Sequence, residues 1–109
     1  MPATLVDGHL ALDLIENGML SWESLNGVRL DHPEHGHGKI TEVRIRARLT
    51  PLLDFSNETE TFALDPFLAL KAPGAKLSLD SSQIPGLEEF QNVEDPAARR
   101  VAIQNARKK

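Results

Sequence analysis

Three histidines stand close together in the sequence, and imidazole is a common metal ligand in proteins. His32, His35 and His37 have Asp31 and Glu34 beside them. Zinc accepts imidazole and carboxylate ligands, and a His-x-His pair on one strand face can supply two of them. One hypothesis is therefore a metal site on these three histidines. The alternative is that they shape the backbone of a turn and bind no metal.

Three arginines alternate along a strand-like run that follows the histidines. Arg44, Arg46 and Arg48 are each separated by one residue. Because alternate residues of a strand face the same side, this spacing predicts a basic ridge roughly 14 Å long at ~3.3 Å per residue. Guanidinium groups form paired hydrogen bonds with carboxylate or phosphate. We expect the ridge to bind a partner; the alternative is a solvated face balanced by Glu58 or Glu60.

Basic residues also collect near residue 100 and beyond, in a stretch of net positive charge that includes Lys108 and Lys109. They can contact nucleic acid or an acidic partner, or they can form the solvated end of a helix. The net charge of −4 argues against broad coating of nucleic acid, which requires extensive phosphate neutralisation. A nucleic-acid-binding alternative uses both basic groups: Arg44, Arg46, Arg48, Arg99, Arg100 and Arg107.

Catalytic groups are sparse in this sequence. It contains no cysteine or tyrosine, and it lacks a nucleophile-elbow, phosphate-loop or His-Glu-x-x-His motif. No spacing links a nucleophile to a histidine base. We therefore expect a protein that is not an enzyme and uses no cofactor. No apolar run approaches the roughly 20 residues that span a bilayer, and no signal-like segment is evident, so we expect a cytoplasmic protein without membrane contact.

The middle of the chain reads as a series of short strands. Val28 and Leu30 alternate with polar residues, and Pro33 then interrupts the ladder because it has no N–H group. Gly36 and Gly38 permit a sharp turn into the next strand. Short strands at this spacing are typical of a small β-barrel. The predicted strands cover residues 28–31, 39–49, 49–55, 61–64 and 67–70.

The flanking segments carry helix signals. Residues 9–20 have helical apolar spacing after Asp7-Gly8, which suits a turn or a helix N-cap. Asn17-Gly18 is also a favourable hairpin turn, so helix and hairpin both stay open. Residues 76–80 alternate like an edge strand, and residues 87–90 suit one helical turn. Asp95-Pro96 predicts the start of a helix over residues 97–109.

One string resembles a known family. Residues 27–40, Gly-Val-Arg-Leu-Asp-His-Pro-Glu-His-Gly-His-Gly-Lys-Ile, are similar to the opening of Tudor-like, SH3-type barrels. The pattern resembles the C-terminal domain of UvrD/PcrA-type DNA helicases and, more distantly, the polymerase-interacting domain of CarD-type transcription factors. The resemblance covers residues 26–72. It implies that His32 and Pro33 are structural, which favours the turn interpretation of the histidines over the metal site.

We therefore expect a mainly β protein organised around an SH3/Tudor-like barrel. Residues 1–25 form a helical or hairpin addition, residues 26–72 the barrel, and residues 73–109 an edge strand, a loop and a basic C-terminal helix. The resemblance implies a protein-interaction module that docks on a larger machine, such as RNA polymerase or a DNA-repair complex. The alternatives are a barrel that binds nucleic acid directly and, behind it, a histidine metal site.

Overall fold

A computed structural model describes residues 3–56 and 61–107, which form an antiparallel sheet with helices packed on it. The antiparallel sheet confirms the β component of the prediction, whereas the helices contain nearly as many residues as the strands. The strands are β1 (Ala3–Asp7), β2 (Arg29–His32), β3 (Gly36–Ile45), β4 (Arg48–Ser56), β5 (Thr61–Leu64) and β6 (Lys76–Asp80). The helices are α1 (Gly8–Glu16), α2 (Pro66–Lys71), α3 (Leu87–Asn92) and α4 (Pro96–Arg107), with 3₁₀ turns at Glu23–Leu25 and Ser81–Gln83.

The strands lie in the order β1-β6-β2-β3-β4-β5, and every neighbouring pair is antiparallel. The two edges are β1 and β5, and no pairing joins them within the described residues. The sheet is open there, and a closed barrel stays a prediction. The predicted hairpin between residues 49–55 and 61–64 is confirmed as β4–β5, while its turn at residues 57–60 lies outside the described residues.

Strand β6 was expected at a sheet edge, and this prediction is wrong. β6 pairs with β1 on one side and with β2 on the other. Its Leu77 and Leu79 are buried in the hydrophobic core. Alternation along the chain could not show that β6 is central, because its two neighbouring strands come from distant parts of the sequence. The three predicted segments, residues 1–25, 26–72 and 73–109, thus all contribute strands to one sheet.

The first helix settles the choice between helix and hairpin for residues 9–20. Asp7 caps α1 by accepting a backbone hydrogen bond, as the sequence predicted. Leu10 and Leu14, four residues apart on the same helix face, are buried. The helix ends at Glu16 with Asn17 as its C-cap, and the left-handed φ of 76° at Gly18 then turns the chain. The helical interpretation is confirmed and the hairpin is wrong.

A second helix replaces the predicted closing strand at residues 67–70. Asp65 Oδ1 accepts a hydrogen bond from Phe67 N at 2.9 Å, and Pro66 occupies the first turn of α2. Ala69 and Leu70 are buried, whereas Phe67 is exposed. The strand prediction was wrong because a short apolar run fits a strand or a buried helical turn equally well.

The later helices agree with the sequence. The helical turn predicted at residues 87–90 is the first part of α3. The helix predicted after Asp95-Pro96 is α4, and Asp95 Oδ2 accepts a hydrogen bond from Ala98 N at 3.2 Å. Its last two predicted residues, 108 and 109, lie outside the described residues.

The hydrophobic core lies on one face of the sheet. Inward side chains of the strands and buried side chains from all four helices belong to one cluster. The opposite face, called the outer face below, carries polar side chains such as Arg29, Lys39 and Asp54, which are exposed. The core contains, among others, Leu30, Ile40, Leu53 and Leu77 from the sheet and Leu10, Leu70, Leu87, Phe90 and Ile103 from the helices.

Replacing Gly8 with alanine should destabilise the fold. A Cβ at Gly8 would overlap the backbone carbonyl of Leu70, so α1 and α2 would have to separate. Because backbone cannot rotate away as a side chain does, we expect Gly8→Ala to lower the free energy of unfolding by about 2 kcal/mol or more. Urea denaturation followed by circular dichroism measures this loss. An unchanged midpoint would contradict the close packing of these helices.

Candidate functional site

The end of the β3–β4 hairpin projects from the hydrophobic core into solvent. Every residue from 43 to 49 is exposed, and we call this segment the arm. Val43, Ile45 and Leu49 retain 36%, 54% and 36% of their exposure. The arm also contains the three alternating arginines of the predicted ridge. It therefore presents cations and aliphatic side chains together, outside the hydrophobic core.

The predicted single strand over residues 39–49 is wrong, because the chain reverses at Arg46 and Ala47. Ile45 pairs directly with Arg48, which leaves a two-residue turn between the strands. Both turn residues have left-handed backbone, with φ of 49° and 66°. These are the signs of a type I′ turn, which usually contains Asn-Gly. The alternating sequence hid the reversal, because it continues unchanged across the turn.

The reversal also separates the arginines of the predicted ridge. Arg44 lies opposite Leu49, and the next pair along the ribbon is Ile45 and Arg48. Directly opposite residues share a face and successive pairs alternate, so Arg44 and Arg48 lie on opposite faces of the ribbon. Arg46 occupies the turn. The structure thus collects the three arginines at one tip but does not align them as a ridge.

The arm arginines form no ion pair with any residue in the described ranges. Their guanidinium groups are exposed to solvent and available to an external carboxylate or phosphate. The residues predicted to balance them, Glu58 and Glu60, lie outside the described residues.

The histidine cluster is divided between the two faces of the sheet. His37 lies opposite Asp31 on the outer face, with its Nδ1 2.6 Å from Asp31 Oδ1. Arg29 Nε donates to the same carboxylate oxygen at 2.8 Å. The Arg29 hydrogen bond holds the pKa of Asp31 below its ordinary value, outweighing the opposing effect of burial.

The other two histidines stack near the core side. The ring centroids of His32 and His35 are 4.7 Å apart, and His35 lies 5.5 Å from the Phe55 ring. His32 Nδ1 accepts a hydrogen bond from Glu34 N at 3.1 Å, which fixes the turn. Burial, followed by the nearby charge of His35, lowers the pKa of His32. In the part of the chain that the structure describes, no three metal-ligating side chains converge.

A shallow depression on the outer face was not predicted from the sequence. It has a volume of about 450 Å³ and lies over β2, β3 and β4, next to the arm. Thr41 Oγ1 donates to Asp54 Oδ2 at 3.2 Å within it. No linear motif marks it, since strand pairing alone brings its residues together. Its lining consists of Arg29, His37, Gly38, Lys39, Thr41 and Asp54.

The basic residues of α4 do not form one surface. Arg99 Nη2 lies 3.4 Å from Asp13 Oδ2, and the two side chains retain only 11% and 12% of their exposure. This ion pair joins α4 to α1 beside a pocket of about 290 Å³ between α1, α2 and α4. Arg99 is therefore already paired within the fold, whereas Arg100 and Arg107 are exposed. No local sequence pattern predicts this pairing, because the two residues are 86 positions apart in the chain.

No protein-family model, curated protein or solved structure matches this chain. The resemblance to Tudor-like barrels accordingly stays a prediction. Among the described helices, none has both the length and the apolar character needed to cross a membrane.

Replacing Ala47 with glycine should stabilise the arm. Left-handed backbone costs an L-residue roughly 1–2 kcal/mol, and the greater entropy of unfolded glycine offsets roughly 0.5–1 kcal/mol of the relief. We therefore expect Ala47→Gly to raise the free energy of unfolding by about 0.5 kcal/mol in urea denaturation. The matched control is Ala98→Gly, an exposed helical position, which should lower it. A loss of stability in Ala47→Gly would contradict the type I′ turn.

The lowered pKa of His32 makes the stability pH-dependent. Unfolded His32 binds a proton at a higher pH than folded His32, so protonation favours the unfolded state. Stability should therefore fall as pH decreases from about 6.5 towards the lower folded-state pKa. Urea midpoints at pH 7.5 and 5.5 measure this slope. We expect His32→Asn to flatten it; an identical slope in the variant and the wild type would contradict the assignment.

Proposed function

We propose that this protein is a non-enzymatic interaction module, and that the arm binds an acidic segment of a protein partner. One observation carries the proposal. The arm holds three arginines without ion pairs among the described residues, interleaved with exposed aliphatic side chains. Exposed apolar groups beside unpaired cations are typical of contact surfaces rather than of solvated loops.

The backbone of the arm supports the same proposal. Arg46 and Ala47 occupy strained left-handed conformations at the tip. Strain of this kind persists where the surrounding structure enforces it, and it is concentrated at functional sites. A glycine would relieve the strain at Ala47 but would add nothing to binding, whereas Arg46 places a cation at the tip.

The resemblance supplies the kind of partner. We propose docking on a larger nucleic-acid-processing machine in transcription or DNA repair, such as RNA polymerase or a repair complex. The finer fold assignment, an SH3/Tudor-like barrel over residues 26–72, belongs to the same proposal. The run β2-β3-β4-β5 supports it, because consecutive antiparallel strands in sequence order are what such a barrel requires.

Direct nucleic-acid binding is the second candidate, and the exposed arginines favour it. Arg44, Arg46 and Arg48 on the arm, with Arg100 and Arg107 on α4, are available to phosphates. The protein partner is preferred for two reasons. The net charge is −4, and the aliphatic side chains of the arm have no counterpart on a phosphate backbone.

A capture experiment with matched charge reversals tests the proposal. The full chain is immobilised and exposed to extract of its native cell as wild type, as Arg44→Glu/Arg48→Glu, and as Arg100→Glu/Arg107→Glu. Both double variants change the net charge equally, so that only the location differs. Arg46 is left unchanged because its backbone is strained, so a substitution there could alter folding as well as binding. Urea denaturation checks that each variant folds.

We expect the wild type to capture a partner protein after nuclease treatment. The arm variant should capture at least about tenfold less of that protein, and the α4 variant should capture as much as the wild type. Equal capture by the arm variant and the wild type would exclude the arm as the binding element. Capture that nuclease abolishes would favour the second candidate.

A further inference from the structure

We propose that the docking surface is the outer face of the sheet, from Lys39 to Ile45, and that it accepts an extended acidic protein segment with alternating apolar side chains. The inference rests on the proposed function and specifies which of the two faces of the arm binds. It also extends the binding surface from the arm into the depression beside it.

The register of β3 decides which residues share the outer face. Ile40 and its partner Leu53 are fully buried on the core face. Because side chains alternate along a strand, Thr41, Val43 and Ile45 lie on the opposite face. This row starts at Lys39 and covers about 20 Å at ~3.3 Å per residue. No core residue of the described helices lies on that side.

Two of the three exposed aliphatic side chains of the arm belong to this row. Val43 retains 36% and Ile45 54% of their exposure. They are two residues apart on one strand, so their side chains are about 7 Å apart. An extended segment repeats its own side chains at the same interval. Val43 and Ile45 can therefore contact two alternate apolar residues of such a segment.

Cations stand at both ends of the row. Arg48 lies opposite Ile45 at the tip, and Lys39 with Arg29 lines the depression at the other end. Asp31 is already paired with Arg29 and His37. Asp54 lies opposite Lys39 and accepts the Thr41 hydroxyl. Lys39 at one end and Arg48 at the other form no ion pair with any described residue, and they favour carboxylates on both sides of the apolar contacts.

The opposite face of the arm is less suited to an acidic segment. Arg44 and Leu49 lie there, but Glu42 lies on the same face, two residues before Arg44. One carboxylate oxygen of Glu42 is buried without a hydrogen-bond partner in the described structure. At the arm, the neighbouring pair on this face, Glu42 and Pro51, contains a carboxyl group, whereas the neighbouring pair on the outer face, Val43 and Thr50, contains none.

The two cross-strand pairs of the arm give matched variants. Each pair joins one aliphatic residue to one arginine, and the pairs lie on opposite faces. Ile45→Ser/Arg48→Glu alters the outer face, and Leu49→Ser/Arg44→Glu alters the other face with the same chemistry. The probe is a fluorescein-labelled peptide of alternating glutamate and valine, about eight residues long. A glutamate–serine peptide and single-stranded DNA of equal charge serve as comparison probes.

Fluorescence anisotropy with the full chain measures the dissociation constants. We expect the wild type to bind the glutamate–valine peptide, the Ile45/Arg48 variant to bind at least about tenfold more weakly, and the Leu49/Arg44 variant to stay within about twofold. Amide chemical shifts of the wild type provide a test that requires no variant. When the glutamate–valine peptide is added, the amide chemical shifts of residues 39–45 should change.

Several outcomes would overturn the inference. A larger loss in the Leu49/Arg44 variant would place binding on the other face, and an equal loss would show no preference between the two faces. Either result overturns the choice of the outer face while leaving the arm as the binding element. Equal affinity for the glutamate–serine peptide would show that the apolar side chains contribute nothing to binding. Tighter binding of DNA than of the glutamate–valine peptide would identify the surface as a nucleic-acid-binding one. A wild type without saturable peptide binding would exclude this ligand class. The capture experiment tests the proposed function separately: that function fails if the Arg44→Glu/Arg48→Glu variant captures as much protein as the wild type, or if nuclease abolishes capture.

Discussion

Burial of only one face of the sheet is the constraint on which the rest of this structure depends. Alternation along the strands places Leu30, Ile40, Leu53 and Leu77 on a single face, and each is fully buried. The four described helices all contribute to that same core. The outer face is consequently accessible to solvent, and it carries polar residues together with the exposed aliphatic side chains Val43 and Ile45. Strands that continue beyond the helices have nothing to pack against, and β3 and β4 do continue.

The arm follows directly from this arrangement. A two-stranded ribbon without a packed face is only marginally stable by itself. Its register is fixed at the base, where Ile40 and Leu53 are paired inside the core. That anchoring allows the tip to keep a strained turn and exposed aliphatic side chains. The arm is therefore positioned by the core while its own side chains remain available for contact.

The helical layer uses its charges differently. Asp13 and Arg99 face each other with little exposure, and they connect helices from opposite ends of the described chain. Removing one partner of such a buried pair strongly destabilises the folded protein, because the remaining charge stays desolvated. Basic residues of similar appearance in the sequence thus have different roles. Arg99 joins α4 to α1 through its ion pair with Asp13, whereas Arg44 and Arg48 form no ion pair within the described ranges.

Local capping chemistry made several elements predictable. Asp7 and Asp95 were expected to cap helices, and both do. Asp65-Pro66 carries the same capping signal as Asp95-Pro96, but the short apolar run after it also fits a strand. The difference is length, since four apolar residues satisfy either period. The Asp-Pro cap is therefore the feature of the sequence that indicates α2.

The sequence by itself determined the local geometry: the caps, the strand alternation around residues 28–31, and the hairpin of β4 and β5. These follow from interactions between near neighbours in the chain. Tertiary structure decided the central place of β6, the Asp13–Arg99 pair and the depression on the outer face, because each joins residues far apart in sequence. Tertiary structure also decided which of the arm arginines lie on the same face. A two-residue turn at Arg46 and Ala47 preserves the alternating pattern while reversing the chain, so the pattern alone could not show which arginines share a face.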